Sequence, residues 1–178
     1  VCVGFGPATG GFLTTLGRKL VNEDGSPAVE SKVMPGMPPQ IICYERADDI
    51  GFGVSGVVTR GRAIRESFPD FDPSQVPMAA AVKKETVLYL LDPIGASRRS
   101  APLRIADGLI RTVGRVLPFY KDHAFRLPYI PPFLQKHGGY LLSIGQFTQW
   151  AGSQIMASGM AQIWPGTPVS EPLVEQDR

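Results

Sequence analysis

The sequence predicts an α/β fold, and three observations carry the prediction. The chain opens with an apolar run into a cluster of glycines, "VCVGFGPATGG", and then a helix-period pattern. A second apolar run, "IICYE", ends on a carboxylate. Beyond it, strand and helix patterns are interspersed instead of segregating. Together these make a Rossmann-like start, in which a strand, a glycine turn and a helix lead to a second strand.

The elements follow in order. Val1 to Gly4 reads as a short buried strand. Ala8 to Val21 reads as a helix, because Phe12, Leu13, Leu16 and Leu20 recur at helical spacing. Asn22 to Gln40 is polar, then proline-rich, and reads as a loop excursion. Ile41 to Glu45 is a second buried strand. From Arg46 a glycine-rich loop passes into a helix around Arg60 to Ser67, closed by Pro69. Thr86 to Asp92 is a third strand candidate, and Leu103 to Leu117 is helical with a mixed face. "PFYKDHAFRLPYIPPFLQKHGGY" reads as a loop rich in proline and aromatic residues. Gly145 to Gly159 reads as a helix, and "MAQIWPG" and "PVSEPLVE" as strands. These strands are too few to close a doubly wound sheet. The 178 residues are therefore expected to be the N-terminal or ordered part of a longer protein, with loop insertions at about 22–40 and 93–135.

Composition narrows the classes. With 43% hydrophobic and 19% charged residues the chain can bury the core of one domain. A net charge of +2 gives no argument for nucleic acid. No apolar run is long enough to span a bilayer. Cys2 and Cys43 each lie inside an apolar strand-like run and read as buried, reduced thiols. Two cysteines hold neither an iron–sulfur cluster nor a structural zinc, and His123 and His137 lie far from them in sequence.

The opening glycines suit a pyrophosphate. Phosphate oxygens need backbone N–H donors at a helix N-terminus, where the helix dipole favours negative charge. Backbone approaches that closely only where side chains are absent. Gly4, Gly6, Pro7, Ala8, Thr9 and Gly10 form the candidate turn. Thr9 stands at the third position of the G-x-G-x-x-G pattern, and Gly10 follows one residue late. An acid at the end of the next strand completes the signature by binding ribose hydroxyls. Glu45 is that acid, further along than the usual ~20 residues because of the 22–40 excursion. Arg46 beside it would accommodate a 2′-phosphate, or is a solvated surface residue. The helix has no Lys at the phosphate-loop position, which argues against a P-loop NTPase. Turn glycines with no ligand are the bland alternative.

The chain resembles the N-terminal region of the electron-transferring-flavoprotein dehydrogenase family, also called electron transfer flavoprotein–ubiquinone oxidoreductases. The resemblance rests on "VGFGPATGG", "CYERADDIGFGVSG", "SFPDF" and "HGGYLLSIGQFTQWAGSQIMASGMAQIWPGTPVSEPL". In the last stretch Tyr140, Gly145, Trp150, Gly152, Gln154, Gly159, Pro165, Gly166 and Glu171 fall in the family's order. The resemblance implies an FAD-binding domain. Gly4, Gly6 and Gly10 would line the pyrophosphate turn, and Glu45 would bind the adenosine ribose. Gly51, Gly53, Ser55 and Gly56 would form the loop near the isoalloxazine and diphosphate, and the segment around Val169 would lie under the adenine. Ser143 stands where many relatives carry an Arg that touches the cofactor. A 4Fe–4S cluster is implied only for a longer parent protein.

The implied activity is flavin-dependent oxidoreduction, with electrons passing from a reduced electron transfer flavoprotein to a membrane quinone. Two alternatives stand beside it: a geranylgeranyl-reductase-like flavoenzyme, and a degenerate FAD fold kept as a structural subunit of a larger complex. Residues 98–121 add a basic amphipathic pattern, with Arg104, Arg111 and Arg115 on one side of a helix. Such a helix can lie in a bilayer interface, or pack as an ordinary surface helix. The expected location is accordingly the membrane periphery or the cytoplasm. Tyr129, Phe133 and Tyr140 would line a flavin or quinone passage, or wall the core, and His137 beside Gly138 and Gly139 is the one titratable residue near them, with no catalytic role assigned.

Overall fold

A computed structural model describes residues 1–52, 56–90, 100–116, 120–121 and 124–171. Among these the chain is mixed α/β, with four α-helices and three small sheets of three strands each. It divides into two compact units. One joins Val1–Val82 to Gly138–Arg178, and the other is Lys83–His137.

The first unit begins as the sequence predicts, with β1 (Cys2–Val3), α1 (Pro7–Leu20) and β2 (Ile41–Tyr44). Pro7 opens α1, where its fixed φ suits a helix and its missing N–H leaves no bond unmade. β1 pairs in parallel with β2, and β2 in parallel with β9 (Ala161–Trp164), giving the order β1–β2–β9. The register sets Cys43 between Cys2 and Ile163. α1 and α4 (Ile144–Ala157) supply Leu13 and Ile155 to the core, which Phe5, Cys43, Ile50 and Ile163 complete. Each such apolar side chain contributes ~1.5–3 kcal/mol on burial. Gly152 lets α4 come close: a Cβ there would lie 3.2 Å from the Phe5 ring.

A second sheet sets β3 (Gly56–Thr59) and β4 (Ala80–Ala81) antiparallel to β8 (Tyr140–Ser143), which runs directly into α4. Between α4 and this sheet lies a second core of Phe71, Val76, Leu142 and Phe147. The Phe71 ring meets Tyr140, Trp150 and Phe147 edge-on, at centroid distances of 5.1, 5.2 and 6.0 Å. Edge-to-face pairs of this kind add ~0.5–1.5 kcal/mol each beyond their buried area.

The second unit holds an antiparallel sheet of β5 (Leu88–Leu90), β7 (Ala124–Arg126) and β6 (Tyr120–Lys121), with α3 (Ala101–Gly114). The Tyr89 hydroxyl donates to Asp107 Oδ1 at 2.8 Å and ties β5 to α3. α3 buries Asp107 and leaves Ile105, Leu109 and Val113 exposed.

Several expectations change. The third parallel strand is Ala161–Trp164, whereas the run from Thr86 to Asp92 supplies the antiparallel Leu88–Leu90 of the other unit, with Leu91 and Asp92 outside the described residues. A short apolar run encodes a strand but not its partner. β1 is an edge strand with Val1 and Val3 exposed, not a buried one. The expected loop after Arg46 holds β3, because Val57, Val58 and Thr59 are β-branched and find β8. The proline-rich loop holds β6 and β7. Pro168 to Glu171 is not a strand, and the rest of "PVSEPLVE" lies outside the described residues.

Both cysteines are free thiols, Cys2 half-buried and Cys43 fully buried. Burial pushes the Cys43 thiol from 9.0 up to about 11, with smaller like-charge contributions from Cys2 and Glu45. The folded form therefore holds its proton at a pH where the unfolded form has lost it. Stability contributed by Cys43 is present below pH 9 and lost as pH rises towards 11. Urea unfolding across that range is expected to show a falling midpoint, and Cys43→Ala to flatten the fall. An equal fall in both would assign it to other groups.

Candidate functional site

The loops that follow the three parallel strands meet at one end of the sheet. After β1, Gly4 adopts φ +85°, a left-handed conformation that a glycine enters without strain. Its N–H donates to the Tyr44 carbonyl at 2.7 Å, and its carbonyl accepts the Thr9 hydroxyl at 2.9 Å. After β2, the Glu45 carboxylate accepts two backbone N–H groups, Phe5 at 2.6 Å and Ala47 at 2.9 Å. After β9, Gly166 N–H donates to the Ala47 carbonyl and Thr167 N–H to the Glu45 carbonyl, both at 2.8 Å. Open parallel sheets bind ligands at this carboxyl end.

α1 starts there. Gly6 is its N-cap, with φ −123° and ψ −175°, extended backbone that any residue adopts. Gly10 N–H makes the first helical bond, to the Gly6 carbonyl at 2.9 Å. Among the described residues the N–H groups of Ala8 and Thr9 have no acceptor. The helix has no side-chain cap and no acid in its first turn. A Cβ on Gly4 or Gly6 would meet nothing within 4 Å. Gly6 is thus a glycine that neither conformation nor packing of the chain requires. A side chain there would stand over donors aimed outward with the positive end of the helix dipole.

The other expected residues distribute as follows. Pro7 and Ala8 are exposed on the first turn, and Gly10 is buried against Phe5 and Ala151. Thr9 departs from the glycine pattern with a purpose, since its hydroxyl fastens the turn by bonding Gly4. Arg46 is exposed beside Glu45. Gly51, at φ +80°, packs against Gly145 at the start of α4. Gly56 opens β3 opposite Ser143, the N-cap of α4. Gly53 and Ser55 lie outside the described residues. Val169 is exposed in coil beyond Thr167. His137 is exposed in the other unit, and Tyr140 lies in β8, against Phe71. Sequence reasoning missed the bond from Phe5 N–H to Glu45, because a backbone donor leaves no mark on residue type.

A cavity of about 570 Å³ in the same unit is lined by Arg18, Phe68, Phe71, Trp150 and Gln154. It flanks the second half of α1, away from the glycine turn. Among the described residues no group of three or more His, Cys, Asp and Glu could hold a metal ion. None of their helices is long and apolar enough to cross a membrane. No family model matches the chain, and neither does any curated protein or solved structure.

Proposed function

We propose that the chain is the FAD-binding part of a flavin-dependent oxidoreductase, passing electrons from a reduced electron transfer flavoprotein to a membrane quinone. The observation that carries the flavin is Gly6, a side-chain-free N-cap over two N–H donors that have no acceptor among the described residues. The order β9–β2–β1 supports the Rossmann-like reading, since half of such a sheet has the order 3-2-1 with its glycine turn after strand 1. Gly4, Gly6 and the stretch Pro7 to Gly10 would hold the diphosphate, and Glu45 the ribose. A carboxylate offers about four acceptor positions, and the two N–H bonds at Glu45 leave positions for ribose hydroxyls. FAD supplies the redox chemistry when bound; the chain binds and orients it.

Donor and acceptor rest on the resemblance, with one supporting feature. Peripheral membrane contact through 98–121 is favoured by α3, whose apolar residues Ile105, Leu109, Val113 and following Val116 are exposed while Arg104 and Arg115 give it positive charge.

The test is the visible spectrum of the purified chain after incubation with FAD, with acid release of the chromophore. Bound FAD is expected. Glu45→Ala should weaken it roughly 10- to 100-fold, the loss of one hydrogen bond to a charged group. It should also lower the unfolding midpoint, because Phe5 and Ala47 lose their acceptor. Unchanged affinity in that variant rejects the ribose role. A second reading, a flavin-free structural subunit, is favoured by the same two bonds, which give Glu45 a role in the fold alone. Absence of flavin after reconstitution would select it.

A further inference from the structure

We infer that the Lys83–His137 unit carries an anion pocket of its own, built for a phosphate ester. Its cavity, of about 850 Å³, is lined by Lys83, Lys84, Arg126 and His137, with Glu85 the one acid on its wall among the described residues. Three fixed cations thus face one carboxylate. That carboxylate is engaged, because Lys136 N–H donates to Glu85 Oε1. No carboxylate lies within ion-pair distance of Lys83, Lys84 or Arg126 among the described residues. The described wall thus carries a net positive charge, which favours an entering anion.

The frame that holds them is ordered by backbone pairing. Arg126 lies opposite Leu88 in the β5–β7 ladder, and Leu127 N–H extends that pairing to the Val87 carbonyl at 3.0 Å. The lysines therefore lie just before one strand and Arg126 ends its neighbour. Arginine gives a planar two-pronged contact to phosphate oxygens, and the lysines add point charges. The rest of the wall includes Ile130 and Tyr129, apolar and aromatic surface for the organic part of an ester. The ligand chemistry is therefore a phosphate group esterified to an organic body. A phospholipid headgroup and a soluble phosphomonoester both have it. The inference stands apart from the flavin proposal, which concerns the other unit.

The full chain would be titrated with glycerol 1-phosphate by calorimetry, and sedimented with phosphatidylcholine vesicles with and without phosphatidic acid. Lys84→Gln/Arg126→Gln is the test variant. Lys19→Gln/Lys32→Gln, outside the unit, removes the same charge as a control. The test variant is expected to weaken binding at least about tenfold, the control to leave it unchanged. Loss confined to the phosphatidic acid vesicles names a headgroup; loss confined to glycerol 1-phosphate names a soluble ester. No binding of either probe by the parent chain, or equal binding by test variant and control, overturns the inference. If the double variant loses its circular dichroism signal, Arg126→Lys replaces it. That variant keeps the charge but not the two-pronged contact, and unweakened binding in it overturns the inference equally.

Discussion

Gly6→Asp is expected to weaken FAD binding severely and, at the same time, to raise the stability of the chain. The two effects have one cause. Gly6 holds the N-cap in extended backbone, and a Cβ there touches nothing. An Asp side chain would accept from Ala8 or Thr9 N–H, which have no acceptor among the described residues, and set a negative charge at the positive end of α1. The expected gain is about 0.5–1 kcal/mol. The same carboxylate would take the donors a diphosphate needs and repel it. Losing two charge-assisted bonds predicts weaker binding by roughly a hundredfold or more. Flavin fluorescence titration and a thermal melt read both signs. Higher stability with unchanged affinity would move the diphosphate elsewhere.

The largest loss of stability is expected at Gly51→Ala. Gly51 has φ +80°, and a Cβ there would lie 2.5 Å from the Gly145 carbonyl oxygen and 2.8 Å from its Cα. Both are backbone atoms at the start of α4, so no side-chain rotation relieves the overlap. Left-handed backbone alone costs an alanine ~1–2 kcal/mol. With the clash, the expected cost is about 3 kcal/mol or more, as for the larger single-residue effects. Gly25→Ala is the matched control, with φ +83° and nothing within 4 Å of the added carbon. Urea unfolding of the two variants separates conformational strain from collision. Equal losses would mean that the Gly51–Gly145 contact yields without cost.

Some of this site was legible because the requirement falls on residue type. Left-handed backbone after β1 selects Gly4, and an acid closing an apolar run marks Glu45. Helix and strand periods located α1, β2, α4 and β9 within a few residues. The partners of the strands were not legible. β9 and β5 are both short apolar runs, and which one joins β2 is decided by packing against α4. The face that α3 packs was hidden too: its period reveals two faces, but Asp107 is buried and the apolar stripe exposed. The tie between Tyr89 and Asp107 reverses the usual rule, because a buried carboxylate with a hydroxyl donor is satisfied.

The division of the chain also bears on its synthesis. The first unit is discontinuous, and Lys83–His137 is made between its halves. β2 gains its second neighbour only when Ala161–Trp164 emerges. At ~5–20 residues per second, that delay is on the order of ten seconds on the ribosome. During it, β1 and β2 present unpaired edges, while the antiparallel strands of the interposed unit can meet through shorter loops. Folding of that unit first would leave a smaller effective loop to close, at a lower entropic cost. Nascent chains halted before Ala161 are therefore the species expected to recruit chaperones.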